Sequence, residues 1–319
     1  MSILFAGSPE FAVPSLRELQ RAGLSPAAVV TQPDRPRGRG RRIESPAVKE
    51  EALRLGLRVE QPRRFSSPEF LDVLRPLKPD LLVVVAYGQI LKPAALALFE
   101  KGCINLHPSL LPRLRGAAPI NWSIINGDKY TGLTTFFLNE EMDAGDIIFQ
   151  EKAEIHENET AGELGRRLAC RGAELLVRAV GLVMEGRAAR IAQDDSQATL
   201  APRLQKTDGR IDWRAAARRV HGIIMGTNPW PGAATQRAGL PLLLWRSKIW
   251  EETGFRTSGE VLDVRPEGIV VGCGKGSVLV TEVQTPGKRR IPAGAFARGY
   301  RVERGERWGE EKPPSTREG

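Results

Sequence analysis

The chain has 319 residues, of which 41% are hydrophobic and 27% charged, a composition typical of soluble globular proteins. Chains longer than about 250–300 residues commonly divide into domains, so we expect two. The sequence contains no run of 18 apolar residues and no secretion-signal pattern, so we expect neither a membrane-spanning helix nor a secretion signal. Three widely spaced cysteines match neither a metal site nor a disulfide framework, so we expect a cytoplasmic protein.

The net charge of +9 is unevenly distributed along the chain. Residues 201–319 contain 21 Lys or Arg and 13 Asp or Glu, a net charge of +8, whereas the first 200 residues contain 26 and 25. Positive charge concentrated in the last third indicates a polyanionic partner for that part of the chain. The alternative is a basic segment that only keeps the protein soluble.

Short apolar runs alternate with segments of helical spacing over residues 1–185. Strands are predicted at 2–6, 27–31, 80–86, 102–106, 131–138 and 147–155, and helices at 11–22, 46–55 and 163–184. Leu81–Val85 is continuously apolar, as in parallel strands that are covered on both faces. The alternation predicts a doubly wound α/β sheet, with its ligand beyond the C-terminal ends of the strands.

The pattern changes after this first domain. Residues 186–210 are polar and lack clear periodicity, which predicts a linker, and a short helix at 213–225 opens a second domain that extends to residue 304. Gly, Pro and Asp then separate short strand-like runs at 242–245, 259–264, 269–271 and 278–283, as in a small β-barrel. Residues 305–319 are charged and contain two prolines, which predicts a disordered tail.

Asn105 and His107 lie near the predicted end of the strand at 102–106. They are two residues apart, so their side chains share one face of an extended strand, and Pro108 ends that strand. An amide beside an imidazole could stabilise a tetrahedral oxyanion, and the imidazole could also move a proton. A packed structural histidine would leave the same pattern, so the pair alone does not decide the role.

An acidic cluster, Glu140-Glu141-Met142-Asp143-Ala144-Gly145-Asp146, follows the strand predicted at 131–138. Ala144-Gly145 gives the backbone the freedom to form a tight turn. A carboxylate in this turn could reach His107 and favour its protonated form, the imidazolium. The alternative is an ordinary solvated turn.

Basic side chains mark two further segments. Arg35, Arg37, Arg39, Arg41 and Arg42 lie within eight positions, and the intervening Gly and Pro exclude a regular helix. We expect a mobile loop, either only solvated or ordered on binding, whose guanidinium groups suit phosphate. Positive charge also occurs in the linker and the second domain, where the residues predicted to contact nucleic-acid phosphates are Lys206, Lys288, Arg289 and Arg290.

Five segments together resemble the folate-dependent formyltransferases. Their residues are Phe5–Phe11 (FAGSPEF), Asn105–Pro112 (NLHPSLLP), Arg115–Ile120 (RGAAPI), Asp143–Ile147 (DAGDI) and Asn228–Pro231 (NPWP). Each segment is modest evidence alone, but their order and spacing agree from residue 1 to about 304. The resemblance implies an amino-terminal Rossmann-like domain with a mainly parallel sheet and a carboxy-terminal barrel resembling an OB fold.

The resemblance also implies the site residues. Asn105, His107 and Asp143 match the catalytic trio, Phe11 matches the methionine pocket, and the loop at 35–42 matches a segment that enters the acceptor end of a tRNA, with Arg42 reading that end. The residues that match the folate site are Tyr87, Gly88, Gln89, Ile90, Leu91, Ser109, Leu110, Leu111 and Pro112.

The implied reaction transfers the formyl group of 10-formyltetrahydrofolate to the α-amine of methionine on initiator tRNA, for translation initiation. The resemblance further implies a monomer that uses neither a metal nor a nicotinamide cofactor, and the lack of a long apolar run leads us to expect no membrane partner. Three alternatives remain: a formyltransferase for a small amine, a hydrolase that releases formate, and a tRNA-binding protein without catalysis. The basic segments favour tRNA over a small amine, and the intact trio argues against a non-catalytic protein.

Overall fold

A computed structural model describes residues 2–37 and 42–309, with only the backbone of Arg37 and Arg42. It divides into two compact units. Unit 1 contains Met1–Pro119, Thr131–Glu154 and Gly165–Pro202; unit 2 contains Ile120–Tyr130, Ile155–Leu164 and Arg203–Gly319. Within the described ranges, no helix has the length and apolar character needed to cross a membrane.

Parallel strands form most of the sheet in unit 1. The strands of this half of the chain are β1 (Ile3–Gly7), β2 (Ala28–Val30), β3 (Arg35–Arg37), β4 (Arg42–Glu44), β5 (Val59–Glu60), β6 (Leu81–Val85), β7 (Cys103–His107), β8 (Tyr130–Phe137) and β9 (Ile147–Glu154). The sheet order is β5-β2-β1-β6-β7-β8-β9, parallel from β5 to β7, with β8 antiparallel to β7. This confirms the predicted Rossmann-like, mainly parallel sheet.

Central strands β1 and β6 are buried along their whole length. This explains why Leu81–Val85 is apolar at every position, since both faces of a parallel sheet are covered. The next strand, β7, pairs with β6, begins in the core and ends at His107. The C-terminal ends of β6 and β7 therefore meet at one edge of the sheet, where a ligand site is expected.

The longest of the helices begins with a reciprocal cap. The helices are α1 (Val13–Arg21), α2 (Ala47–Arg54), α3 (Pro68–Leu74), α4 (Pro93–Leu96), α5 (Pro119–Ile125), α6 (Ala161–Met184), α7 (Ala217–Gly226) and α8 (Ala293–Tyr300). The Glu163 N–H donates to Thr160 Oγ1 at 3.2 Å, and Glu163 Oε2 accepts from the Thr160 N–H at 2.9 Å, as in a capping box. The helix predicted at 163–184 is confirmed, two residues longer at its start.

Unit 2 contains an antiparallel sheet. Its strands are β10 (Ala233–Arg237), β11 (Leu240–Glu251), β12 (Val261–Arg265), β13 (Gly268–Gly272), β14 (Ser277–Gln284) and β15 (Ile291–Pro292). They are ordered β10-β11-β14-β13-β12, and β15 pairs with β14. The predicted small OB-like domain is confirmed, although β11 is much longer than the run predicted at 242–245.

Residues 305–309 join the two edges of this sheet and are not part of a tail. Arg237 of β10 bridges Trp308, and Glu260, next to β12, bridges Arg307. The Trp308 side chain is 1% exposed and packs edge-to-face on Trp213, with ring centroids 6.1 Å apart. The prediction of a disordered tail was therefore wrong for 305–309, because a buried tryptophan closes the barrel there. Residues 310–319 lie outside the described residues.

The segment predicted as a linker at 186–210 is divided between the units. Its first part, to Pro202, belongs to unit 1. The N–H of Arg115 donates to the Thr199 carbonyl at 2.8 Å, and the N–H of Ala201 donates to the Arg115 carbonyl at 2.7 Å. A polar sequence without periodicity can thus be held by backbone hydrogen bonds to a loop.

Because of His221 in α7, we expect the barrel of unit 2 to lose stability in acid. Its Nδ1 lies 2.9 Å from the Ser247 hydroxyl, and burial, together with nearby Arg218, lowers its pKa to about 4. The native state therefore disfavours the imidazolium, and stability is lost as pH falls from the unfolded pKa of about 6.5 towards 4. Between pH 7.5 and 4.5 we expect wild type to lose about 2 kcal/mol more unfolding free energy than His221→Asn. Denaturant titrations at both pH values measure this difference, and equal losses would contradict it.

Candidate active site

His107 is the last residue of β7 and is held from one side by a loop. The side chain is 4% exposed, and Nε2 lies 2.9 Å from the carbonyl oxygen of Leu114. A carbonyl only accepts hydrogen bonds, so Nε2 carries a proton. The other ring nitrogen, Nδ1, is therefore the atom available for proton exchange in the neutral ring.

Asp143 approaches His107 from the turn between β8 and β9. Its Oδ2 lies 3.7 Å from His107 Nδ1 and accepts a hydrogen bond from the Gly116 N–H at 2.8 Å. The carboxylate is 14% exposed. The structure thus brings Asp143 beside His107, as the sequence predicts, and adds a backbone donor that the sequence does not reveal.

The protonation of His107 depends on two opposing effects. Burial lowers the pKa of His107, and the Asp143 charge and the Leu114 carbonyl raise it, but the net direction is downward. At neutral pH the resting ring is therefore neutral: Asp143 favours the imidazolium, as the sequence analysis expects, but its effect on the pKa of His107 is smaller than that of burial. Both ring nitrogens nevertheless face acceptors, so a proton arriving at Nδ1 would be stabilised by Asp143.

Asn105, which lies two residues before His107 in β7, has an amide oxygen without a hydrogen bond. It lies in β7, where its backbone pairs with Val84 of β6 and Phe136 of β8. Its buried Oδ1 has no hydrogen-bond partner among residues 2–37 and 42–309. Buried polar atoms are normally paired, so this orphan marks a position where a ligand could bind.

Two glycines shape the turns that position the carboxylate. A Cβ at Gly145 would overlap the carbonyl oxygen of Phe137, and a Cβ at Gly116 would lie 2.7 Å from the Ala201 carbonyl oxygen. Gly116 also has φ = 120°, which is costly for other residues. The sequence predicts conformational freedom at Ala144-Gly145, but the left-handed residue of that turn is Asp143, with φ = 53°; Gly145 is needed for close approach.

Hydrogen bonds fix the turn after β7 that contains the predicted folate residues 109–112. Ser109 is buried, and its hydroxyl donates to the Arg113 carbonyl at 2.6 Å. Leu111 is also buried, and its N–H donates to Thr134 Oγ1 at 3.2 Å. Leu110 and Pro112 are half-buried. The Ser109 hydroxyl and the Leu111 N–H therefore maintain the turn, and Leu110 and Pro112 have the more accessible side chains of the predicted set.

The second predicted folate segment, 87–91, alternates between core and surface. Tyr87 and Leu91 are 2% and 7% exposed and belong to the core cluster. Gln89 Oε1 accepts from the Phe65 N–H at 2.8 Å, whereas Ile90 is 82% exposed and Gly88 is also exposed. In this segment the exposed groups are therefore the backbone of Gly88 and the side chain of Ile90.

The other predicted contacts of unit 1 are partly described. Phe11 is half-buried in a single helical turn, Glu10–Ala12, directly before α1. Arg35 is exposed, and its Nη2 donates to Gln32 at 2.8 Å. The predicted loop includes a two-stranded hairpin, β3 with β4, to which Arg37 and Arg42 contribute backbone. Their side chains, and the whole of Arg39 and Arg41, lie outside the described residues.

Exposed cations of unit 2 include all four predicted there. Lys206, Lys288, Arg289 and Arg290 are exposed. The Arg290 guanidinium lies 3.4 Å from the centroid of the Trp245 ring. These positions are compatible with phosphate contacts on the surface of this unit.

Gln193 and Arg115 are site-supporting residues that sequence reasoning missed. The Gln193 amide donates to the carbonyl oxygens of Asp143 and Gly145, and Arg115, which is 8% exposed, donates to Gln193. Gln193 lies 50 residues from Asp143 in a segment without periodicity, so no local pattern indicates it. Across the described part of the chain, no group of His, Cys, Asp and Glu side chains is arranged to hold a metal ion.

Two family models match the chain. The formyl transferase family matches residues 1–180, and the formyl transferase C-terminal domain matches residues 203–301. The methionyl-tRNA formyltransferase of Acetivibrio thermocellus is 46% identical over 96% of this chain and 99% of its own length. The enzyme of the same name from Moorella thermoacetica is 48% identical over 96% of this chain and 98% of its own length.

Solved structures share the fold at low sequence identity. An N-formyltransferase from Helicobacter canadensis, crystallised with folinic acid and dTDP-3-aminofucose, superposes with a TM-score of 0.68. It is 17% identical and covers 88% of this chain and 98% of its own. The two family models account for most of both units, and the high-identity relatives extend over nearly the whole sequence. The chain belongs to the formyl transferase family.

Proposed function

We propose that this protein transfers the formyl group of 10-formyltetrahydrofolate to the α-amine of methionine on initiator tRNA. The observation that carries the proposal is the approach of Asp143 to His107 at the end of β7, the strand that also contains Asn105, in a chain nearly half identical to methionyl-tRNA formyltransferases. Such a reaction serves the initiation of translation, so we place the protein in the cytoplasm. We also propose that it acts as a monomer.

The reaction requires one acyl transfer and one proton transfer. An α-amine titrates near pH 8, so a useful fraction is neutral at pH 7 and can attack the formyl carbon. The new C–N bond forms, the carbonyl oxygen becomes an oxyanion, and the bond from the formyl carbon to the folate nitrogen then breaks. The attacking nitrogen loses a proton and the leaving folate nitrogen gains one, so no other reactant is needed.

Asn105 and His107 would serve different parts of this reaction. The Asn105 amide N–H stabilises the oxyanion, because a fixed donor is worth most where negative charge develops. His107 starts neutral, since burial lowers its pKa, and accepts the proton at Nδ1. The resulting imidazolium lies between the Leu114 carbonyl and the Asp143 carboxylate, which stabilise it until the proton passes to the leaving nitrogen.

The folate contacts proposed here come from the predicted segments 87–91 and 109–112. Within these segments we propose the groups that are not buried. Gly88 and Ile90 face solvent, and residues 109–112 form a turn fixed by Thr134. Fixed turns suit a flat heterocycle, since the protein loses little conformational freedom when it binds. Phe11 is the proposed contact for the methionine side chain.

Basic groups of both units would bind the tRNA. In this proposal, residues 1–185 contain the catalytic site, and residues 211–304 provide a second surface for nucleic acid. The exposed basic residues are Arg35, Lys206 and Lys288–Arg290. A formyltransferase for a small amine would not need these cations. This is why tRNA is proposed as the carrier of the acceptor amine.

An assay with charged initiator tRNA and 10-formyltetrahydrofolate tests the proposal. We expect formylation of methionyl-tRNA, none of free methionine, and at least a tenfold loss of tRNA affinity between about 50 and 300 mM salt as counterions compete for phosphate. Filter binding with uncharged tRNA separates binding from chemistry. Formylation of free methionine, or salt-independent affinity, would contradict the proposed acceptor.

A further inference from the structure

A single side chain from the segment after α6 connects the loops on either side of the Asp143 carboxylate. The amide nitrogen of Gln193 donates to the carbonyl oxygens of Asp143 and Gly145, at 2.9 and 2.8 Å. Its amide oxygen accepts from Nε and Nη2 of Arg115, at 3.2 and 2.7 Å. The two hydrogens and the acceptor oxygen of the amide are therefore all engaged.

These hydrogen bonds complete a ring around the carboxylate. Arg115 directly precedes Gly116, whose N–H donates to Asp143 Oδ2 at 2.8 Å. Asp195 also accepts from Arg115 Nη2, at 2.6 Å, and so fixes the guanidinium. Gln193 thus sets the separation between the turn that carries the carboxylate and the N–H group that orients it.

Backbone strain shows why such support is needed. Asp143 and Leu114 have φ values of 53° and 60°, in the left-handed region that non-glycine residues rarely occupy. Residues in this region persist where surrounding contacts over-determine them. The same segment supplies those contacts to both, since Thr199 Oγ1 accepts from the Leu114 N–H at 2.9 Å. Both acceptors that face His107 are therefore supported by residues 193–199.

We propose that Gln193 is a positioning residue that holds the Asp143 carboxylate beside His107 through the donor side of its amide. The inference rests on the role of Asp143 in the proposed function. Gln193 touches no reacting atom in this arrangement and acts only through the turn at 143–145. Its loss should therefore slow the chemical step and leave the binding of both substrates nearly unchanged.

Two variants distinguish the hydrogen-bond donors of the Gln193 amide from its acceptor. Gln193→Met keeps the length of the side chain but removes donors and acceptor, whereas Gln193→Glu keeps acceptors for Arg115 and removes the donors. We expect kcat to fall by about 10–100-fold in both, because small displacements of catalytic groups are costly, with each KM within about twofold. Gln197→Met is the matched control, because Gln197 is exposed in the same segment and its amide donates to the neighbouring Asp194 and not to the turn at 143–145 among the described residues. It should retain wild-type kinetics.

A double-mutant cycle with Asp143→Asn tests whether Gln193 acts through Asp143. We expect Gln193→Met to cost less than about twofold once Asp143 is neutral. The inference is overturned, with the proposed function intact, if Gln193→Met costs the same factor in both backgrounds or if Gln193→Glu keeps the wild-type kcat. Wild-type turnover by Asp143→Asn would instead remove the proposed role of Asp143. Should Gln193→Met lose its native circular dichroism, the Glu variant decides.

Discussion

Asn105→Ala should lower kcat by about 10²–10³-fold, equivalent to about 2.7–4 kcal/mol of transition-state stabilisation. The reason is geometric. Asn105 lies in β7 between β6 and β8, so the strand fixes the position from which its side chain extends, and its buried Oδ1 has no partner among the described residues. A donor that is already oriented needs no reorganisation when the oxyanion forms, and its removal is felt mainly in the transition state.

Steady-state kinetics and folate binding together measure this effect. The affinity for 10-formyltetrahydrofolate, followed by fluorescence quenching, should change little, because the oxyanion is absent from the ground state. Asn126→Ala, at an exposed position outside the site, should have wild-type kinetics. Wild-type turnover by Asn105→Ala would remove this side chain from the mechanism. An equal loss of folate affinity and rate would assign Asn105 to binding alone.

Trp308→Ala should destabilise unit 2 by about 3–5 kcal/mol, the usual range for removing a large buried aromatic side chain. Trp308 packs on Trp213, and its Nε1 donates to Glu306 at 3.0 Å. The neighbouring backbone is equally engaged, since the Trp308 N–H donates to Gly259 and the Gly309 N–H to Gln236, both at 2.8 Å. Loss of this segment would expose the β10 and β12 edges of the barrel.

Thermal unfolding and hydrogen exchange of β10 and β12 measure this destabilisation. Removal of residues 310–319 is the matched control, because it leaves Trp308 and Gly309 in place, and we expect its melting temperature to be close to that of the full chain. A chain ending at residue 304 should resemble Trp308→Ala or be less stable. If Trp308→Ala left the exchange rates of both strands unchanged, residues 305–309 would not close the barrel.

Much of the fold could be predicted because its signals are local. The continuous apolar run at Leu81–Val85 indicates a strand buried on both faces, and β6 is buried throughout. Leu164, Leu168, Leu175 and Leu176 recur at helical spacing, and all lie on the buried face of α6. Short or polar elements were missed, among them the β3–β4 hairpin and β5, since two or three residues are too few to show a period.

The site was predicted less completely than the fold. The alternation of Asn105 and His107 places both side chains on one face of β7, and the resemblance supplied Asp143. Neither could indicate the protonation of His107, because burial of an imidazole depends on residues packed from distant parts of the chain. The sequence could not show that burial outweighs Asp143 in setting the pKa of His107. For the same reason it could not reveal the Gly116 N–H that donates to Asp143.

The sequence by itself determined the alternation of strands and helices, the position of the reactive pair at a strand end, and the basic character of the last third, because each is a property of neighbouring residues. Only the tertiary structure decided that Gln193 holds the turn at Asp143 and that Trp308 closes the barrel. Both sets of contacts join residues 47 or more positions apart in the sequence. Such pairs satisfy hydrogen bonds and packing that exist only after the chain has folded, so no local pattern records them.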